Sequence, residues 1–102
     1  MRFANDKGYC ELNPFPGCSQ IVVSNHGVIY PKERGKGYGS GNHKLRVERA
    51  KFMGYDYILC TVKSDNIVEI KILDKNKFKK LDSFVNTETN NIVYIYGKRL
   101  KE

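Results

Sequence analysis

Nowhere in this chain do apolar side chains run far enough to cross a bilayer. Stretches such as residues 21–23, 57–60 and 92–96 are far short of the ~20 residues a membrane helix needs. Residues 1–8, MRFANDKG, have no apolar segment of the kind a secretion signal carries, so the expected location is the cytoplasm. Cysteine is scarce. Cys10, Cys18 and Cys60 form an odd set with no C-x-x-C spacing, which supports neither a disulfide framework nor a zinc site, and no metal is expected. Cys60, inside an apolar stretch, reads as a small core residue. No repeat, low-complexity tract or linker interrupts the chain. Acidic residues are also in short supply, with eleven Asp and Glu against eighteen Lys and Arg, a net charge of +7.

What is present fits a single domain over residues 1–102, too short for a second independent core. Hydrophobic content of 40% with 12% aromatics is enough for a packed interior and excludes global disorder. The positive charge is clustered. Residues 32–51 hold seven basic and two acidic side chains, and residues 71–80 hold five and one. Such clusters point to an anionic ligand or partner without saying which.

The pattern along the chain predicts β structure first: a short strand at 8–12, dense turn chemistry at 13–17, and a β-branched run at 18–23. Ser24-Asn25 marks a turn or bulge before a second apolar stretch at 26–30, ended by Pro31, so either two short strands or one bent strand is expected. Spacings of three and four predict a helix from 37 to about 53, with Gly54 at its C-terminal cap. The near-continuous apolar run 55–62 reads as a strand buried on both faces beside a parallel neighbour, the stretch 26–30. Ser64 or Asp65 caps a helix running from 66 to about 75. Residues 78–85 and 92–96 then form an antiparallel hairpin. The expected fold is a mixed α/β sheet, mostly antiparallel, with one parallel pair joined by a right-handed helical crossover.

Arg34-Gly35-Lys36-Gly37-Tyr38-Gly39-Ser40 lies between a strand and a helix N-terminus, where free backbone N–H groups and the helix dipole hold anions. Glycines at 39 and 41 each cost about 1 kcal/mol inside a helix, a penalty that makes sense where a ligand approaches the backbone. The loop is not a Walker A motif, because no Lys-Ser or Lys-Thr follows its last glycine. Nor is it a dinucleotide fingerprint, because Asn42 stands at the third glycine.

Residues 30–40 resemble the acyl-CoA segment of the GCN5-related N-acetyltransferases (GNAT), whose signature is Q/R-x-x-G-x-G/A, often preceded by proline. Arg34, Gly37 and Gly39 fill the signature, Pro31 fills the proline, and Ile29 stands at the hydrophobic position two residues before it. Gly54 with the strand 55–62, then Asn66, Ile70 and Lys75-Asn76-Lys77-Phe78, resemble the family's later elements, so the likeness spans roughly residues 26–85. The resemblance implies a GNAT-like fold in which acetyl-CoA lies where two parallel strands splay apart. Backbone amides of residues 36–40 would hold the diphosphate, with Arg34, Gly35 and Lys36 alongside. Strand 26–30 would pair with pantetheine, the backbone of Ile29 would orient the thioester carbonyl, and Asn66 would contact the coenzyme arm.

An amine acceptor must be neutral to attack, and a lysine of pKa about 10.4 lies roughly 4.6 kcal/mol from that state at pH 7, so a base is expected. Within the resemblance His26, three places before Ile29, is the candidate base, with His43 weaker and Glu69 or Glu11 acting only through a water. Leu73 stands where the family often has a tyrosine acid, so Tyr30, or else Tyr94 or Tyr96, is the candidate acid. Asn42-His43 is polar where the family's helix presents leucine. Fewer than half the family's usual number of residues stand before the loop, so the two helices that wall the acceptor site in the family are expected to be missing. The reading is therefore an N-terminally truncated acetyl-CoA-dependent N-acetyltransferase whose acceptor is a protein lysine or other macromolecular amine, with a homodimer as another way to close the cleft. The alternative is a catalytically weak or inactive GNAT-fold protein that binds or inhibits another macromolecule. A nucleic-acid partner is disfavoured, since no recognition motif accompanies the charge.

Overall fold

A computed structural model describes residues 2–4, 8–33 and 38–101, with backbone alone at 25–29 and 38–41. The elements are β1 (Arg2–Ala4), β2 (Gly8–Phe15), β3 (Cys18–Ile29), a 3-10 turn (Pro31–Glu33), α1 (Tyr38–Phe52), β4 (Tyr57–Lys63), α2 (Ile67–Lys75), β5 (Lys79–Asn86) and β6 (Asn91–Arg99). They form one six-stranded sheet in the order β1-β2-β3-β4-β6-β5, antiparallel except for β3 beside β4. No described helix is long and apolar enough to cross a membrane.

Local chemistry sets the boundaries. β2 runs through Pro14 to Phe15, further than the expected 8–12, and its described pairing with β1 reaches no further than Glu11, so Pro14 interrupts none of it. The turn shrinks to Pro16-Gly17, with Gly17 at φ 80°, the pattern of a type II turn. Residues 18–29 make one long strand, and it has a bulge. α1 closes in a Schellman motif: Gly54 at φ 89°, Tyr55 N–H to Ala50 O at 3.1 Å, and Gly54 N–H to Lys51 O at 3.0 Å. α2 is capped by Asn66, whose side chain accepts from Glu69 N–H at 3.3 Å, and not by Ser64 or Asp65. It ends in a second Schellman motif with Lys77, at φ 67°, in the position glycine usually takes.

Both helices cover the same face of the sheet. Val47 and Ala50 of α1 and Leu73 of α2 join Leu12, Val22, Ile58, Cys60, Val62 and Tyr96 in one core. Fully burying a leucine or isoleucine such as Leu12, Ile58 or Leu73 contributes about 1.5–3 kcal/mol each.

β4 is not buried on both faces as expected. Its side chains alternate, and among the described residues no helix lies over the face carrying Ile21, Val23, Tyr57, Leu59, Val93 and Ile95, which are half-buried, and the more exposed Leu81 and Phe84. A near-continuous apolar run suggests two covering layers; here one is present.

Gly97 organises the centre of that open face. A Cβ there would lie 2.7 Å from Tyr57 Cε1 and 2.9 Å from Leu81 Cδ1, so both side chains lie across its bare backbone. Gly97→Ala is expected to cost about 1–3 kcal/mol by displacing them, read as a lower midpoint in urea unfolding with unchanged slope.

Candidate active site

The parallel pairing of β3 and β4 is short, comprising Ile21↔Tyr57, Val22↔Ile58 and Val23↔Leu59. Beyond it β3 continues to Ile29 paired with β2, and β4 continues to Lys63 paired with β6. The two strands part, and a notch opens between their C-terminal halves. The expectation that 26–30 itself pairs with β4 is therefore corrected. The pairing lies one half-strand earlier, and 26–29 forms the diverging wall. The cause is a bulge: between Tyr9↔Val28 and Glu11↔Asn25, β3 advances three residues while β2 advances two. An extra residue bends and twists its strand, here away from β4, as Ser24-Asn25 foreshadowed.

Crevices at the carboxyl ends of parallel strands are where α/β sheets bind ligands. α1 starts at Tyr38, after β3 and the 3-10 turn, whose Glu33 N–H donates to Tyr30 O at 2.8 Å. Its first turn contains no acidic residue, so its amides and dipole are free of a covalently attached anion. Tyr38, Gly39 and Ser40 form that turn, while Arg34, Gly35, Lys36 and Gly37 lie outside the described residues. His26 and Ile29 belong to the diverging half of β3. Tyr30 follows it, half-buried, its ring tilted against Tyr9 at 6.4 Å. Asn66 comes three residues after β4 ends, on the same edge of the sheet, with its side-chain oxygen engaged in the α2 cap. The topology thus gathers Ile29, Tyr30, Tyr38 and Asn66 at one end of the splayed pair.

The other candidates have structural partners. Glu11 is ion-paired with Arg2 at 2.8 Å. Tyr96 is buried on the helix face opposite Cys60, and burial raises its pKa. Tyr94 packs beneath the Lys80 ammonium at 4.3 Å. Burial pushes the Cys60 thiol up to about 12, which fits its reading as core.

The polar Asn42-His43 pair, for which the sequence offered no packing partner, is fully accounted for. Asn42 donates to Tyr9 O at 3.4 Å and accepts from Arg46 Nε at 2.6 Å, and Arg46 also donates to Ser24 Oγ at 3.1 Å. Ser24 is the first β3 residue past the parallel pairing, so this chain of bonds ties α1 to β3 at the root of the notch and to β2 through Tyr9. His43, 2% exposed, reaches across to Glu69 of α2 at 2.5 Å and sets its ring edge-on to Phe78. The spacing of Asn42 and Arg46 was a legible i,i+4 signal, but the partners Ser24 and Glu69 are remote in sequence.

The hydrogen bond from His43 is the main reason the Glu69 carboxyl is held below the usual range, against the opposing effect of burial. A carboxyl depressed on folding contributes stability above its unfolded pKa and loses it as pH falls through the lowered folded value. Glu69→Gln is expected to cost about 1–2 kcal/mol at neutral pH. In thermal melts across pH, the gap between the two proteins should close as pH falls below the ordinary glutamate range.

No protein-family model and no curated protein matches this chain. Solved structures do. A GNAT-family acetyltransferase from Bacillus anthracis superposes with a TM-score of 0.79 at 19% identity, over 93% of this chain and 59% of that one. Salmonella typhimurium yncA, solved with its cofactor acetyl-CoA, gives 0.80 at 18%, over 94% and 59%. The ribosomal-protein-S18-alanine N-acetyltransferase of Escherichia coli gives 0.80 at 10%, over 100% and 70%. The chain spans about three fifths of the length of the first two. With its splayed parallel pair, crossover helix and mostly antiparallel mixed sheet, the chain has the fold of the GCN5-related N-acetyltransferases.

Proposed function

We propose that this chain is an N-acetyltransferase that takes an acetyl group from acetyl-CoA and delivers it to an amine on a macromolecule, first of all a protein lysine. The observation that carries the reading is the notch between β3 and β4 together with the N-terminus of α1, whose first turn has no carboxylate. An anionic diphosphate suits such a helix end, and an extended thioester arm suits the unpaired edges of two parting strands. Acetyl-CoA, when bound, supplies an activated acyl carbon and a thiolate leaving group.

The protein's part is positioning and proton handling. Backbone amides at 36–40 and the charges of Arg34 and Lys36 would hold the phosphates. The Ile29 backbone and Asn66 would align the arm. His26 would take the proton that the attacking amine sheds, and Tyr30 would return one to the departing sulfur.

A macromolecular acceptor is favoured by the open sheet face, where six half-buried apolar side chains stand without a covering layer among the described residues. Lys63, Lys79 and Arg99 stand exposed on that face, with Asp82 among them, a surface better matched by an acidic protein than by a second copy of itself. The alternative, a GNAT-fold protein that binds a macromolecule without acetylating it, draws on Leu73, which is fully buried in the core where the family has its tyrosine acid.

Isothermal titration and thiol release together separate the readings. Acetyl-CoA is expected to bind at micromolar to low-millimolar concentration, and Gly39→Asp, which sets a carboxylate at the helix start, should weaken it about tenfold or more. With a protein acceptor, His26→Ala should lower turnover and leave acetyl-CoA affinity unchanged. Binding without thiol release over a panel of amines and proteins would favour the alternative, and no binding would contradict both the coenzyme and the transfer.

A further inference from the structure

A second concavity lies away from the notch. Lys44, Glu48 and Lys51 of α1, Lys75 and Lys77 at the end of α2, and Lys98 of β6 wall a hollow of about 320 Å³. Five ammonium groups against one carboxylate leave a local charge of +4. Lys98 pairs with Ile58 near the start of β4, whereas the notch opens past Leu59 toward that strand's end, so the two sites face opposite ends of the sheet.

Gathering like charges costs stability unless something offsets it. Lys51 and Lys75 sit in the last turns of their helices, where the dipole favours a cation. That does not account for Lys44, and Lys77 and Lys98 crowd onto the same end of α2 that Lys75 already serves. Among the described residues none of the five forms an ion pair; the pairs present are Arg2–Glu11, His43–Glu69 and Lys101–Asp56. The half-buried Lys98 donates to Asn76 O at 2.7 Å, and burial, then the charges of Lys51 and Lys77, lower its pKa. Lys77 occupies a left-handed backbone position, φ 67°, that glycine would fill more cheaply. The fold therefore keeps a charged side chain at a strained position and turns it toward other lysines.

We propose that this hollow binds a small, phosphate-bearing polyanion at a site separate from the N-terminus of α1. Its concave shape selects a compact ligand over a nucleic-acid duplex, whose phosphates call for contacts spread along a stripe. Its cations are all lysines. Rotatable point charges follow tetrahedral phosphoryl oxygens without the fixed bidentate geometry that an arginine fork imposes. A bound polyanion would cancel the repulsion among Lys51, Lys77 and Lys98 and so stabilise the fold by linkage. The proposal does not depend on acetyl transfer.

Tripolyphosphate titrated into the ¹⁵N-labelled 102-residue chain at physiological salt is the test. Amide shifts at residues 44, 48, 51, 75–77 and 98 are expected to saturate together, with a concentration-dependent rise in Tm. Lys51→Gln should weaken binding about fivefold or more. Lys77→Gly should weaken it similarly while folding at least as stably, since it relieves the left-handed strain. Gly39→Asp, at the N-terminus of α1, should leave tripolyphosphate affinity at the hollow unchanged. Shifts that never saturate or spread evenly over all lysines, unchanged affinity in both lysine variants, or loss of binding in Gly39→Asp would each overturn the assignment.

Discussion

The early end of the β3–β4 ladder is the constraint on which the molecule depends. Three parallel pairs hold the strands together, and one extra residue in β3 then swings its second half toward β2. Had the ladder continued to Ile29 and Lys63, the backbone groups along both strands would be spent on each other, and no crevice would face the N-terminus of α1. The bulge gives up a few sheet hydrogen bonds and leaves a cleft lined by unspent backbone, the usual trade where a sheet must receive a ligand.

A splayed sheet needs a firm root, and here polar bonds provide it. Arg46 is 7% exposed, and its described partners are neutral, Asn42 and Ser24, while Asn42 also reaches Tyr9. One turn of α1 is thereby tied to β3 at the level where β4 departs and to β2 beyond the bulge. On the other side of the helix, His43 and Glu69 tie α1 to α2. Buried polar groups of this kind are tolerated only when satisfied, and satisfied networks fix one arrangement more sharply than apolar contacts do. The dipeptide Asn42-His43, which looks like a defect in an otherwise apolar helix face, is the centre of that root.

The legibility of the fold follows from how local its signals are. Gly54 after α1, the turn glycine Gly17, and the three-and-four spacing of Val47 and Ala50 are decided by neighbouring residues, and all appear where expected. Ser24-Asn25 announced a bulge, but which half of β3 meets β4 depends on a strand more than thirty residues away, and the register was placed half a strand too late. The burial of β4 was misread for a related reason, since apolar character records that a side chain avoids water without saying whether a second layer is there to cover it. Tyr57 and Leu59 look like core and lie on the open face. Of the candidate site, the backbone positions Ile29 and Tyr38 were legible because a glycine-rich strand-to-helix passage has few geometric solutions. Partnerships such as Arg46 with Ser24 were not, because nothing in the spacing of distant polar residues fixes them.

The open face and the notch belong to one architecture. A chain that spans 59% of two of the GNAT-fold structures it superposes on has the splayed strands, the crossover helix and α2, with one side of the sheet uncovered among the described residues. The central claim is that the parted strands receive a thioester arm whose diphosphate rests on the first amides of α1. A crystal structure of the protein grown with acetyl-CoA tests it most directly. The account predicts density for the diphosphate at residues 36–40 and for the pantetheine arm between β3 and β4. Density elsewhere on the molecule, or a notch filled by the protein's own side chains in the presence of saturating coenzyme, would contradict it.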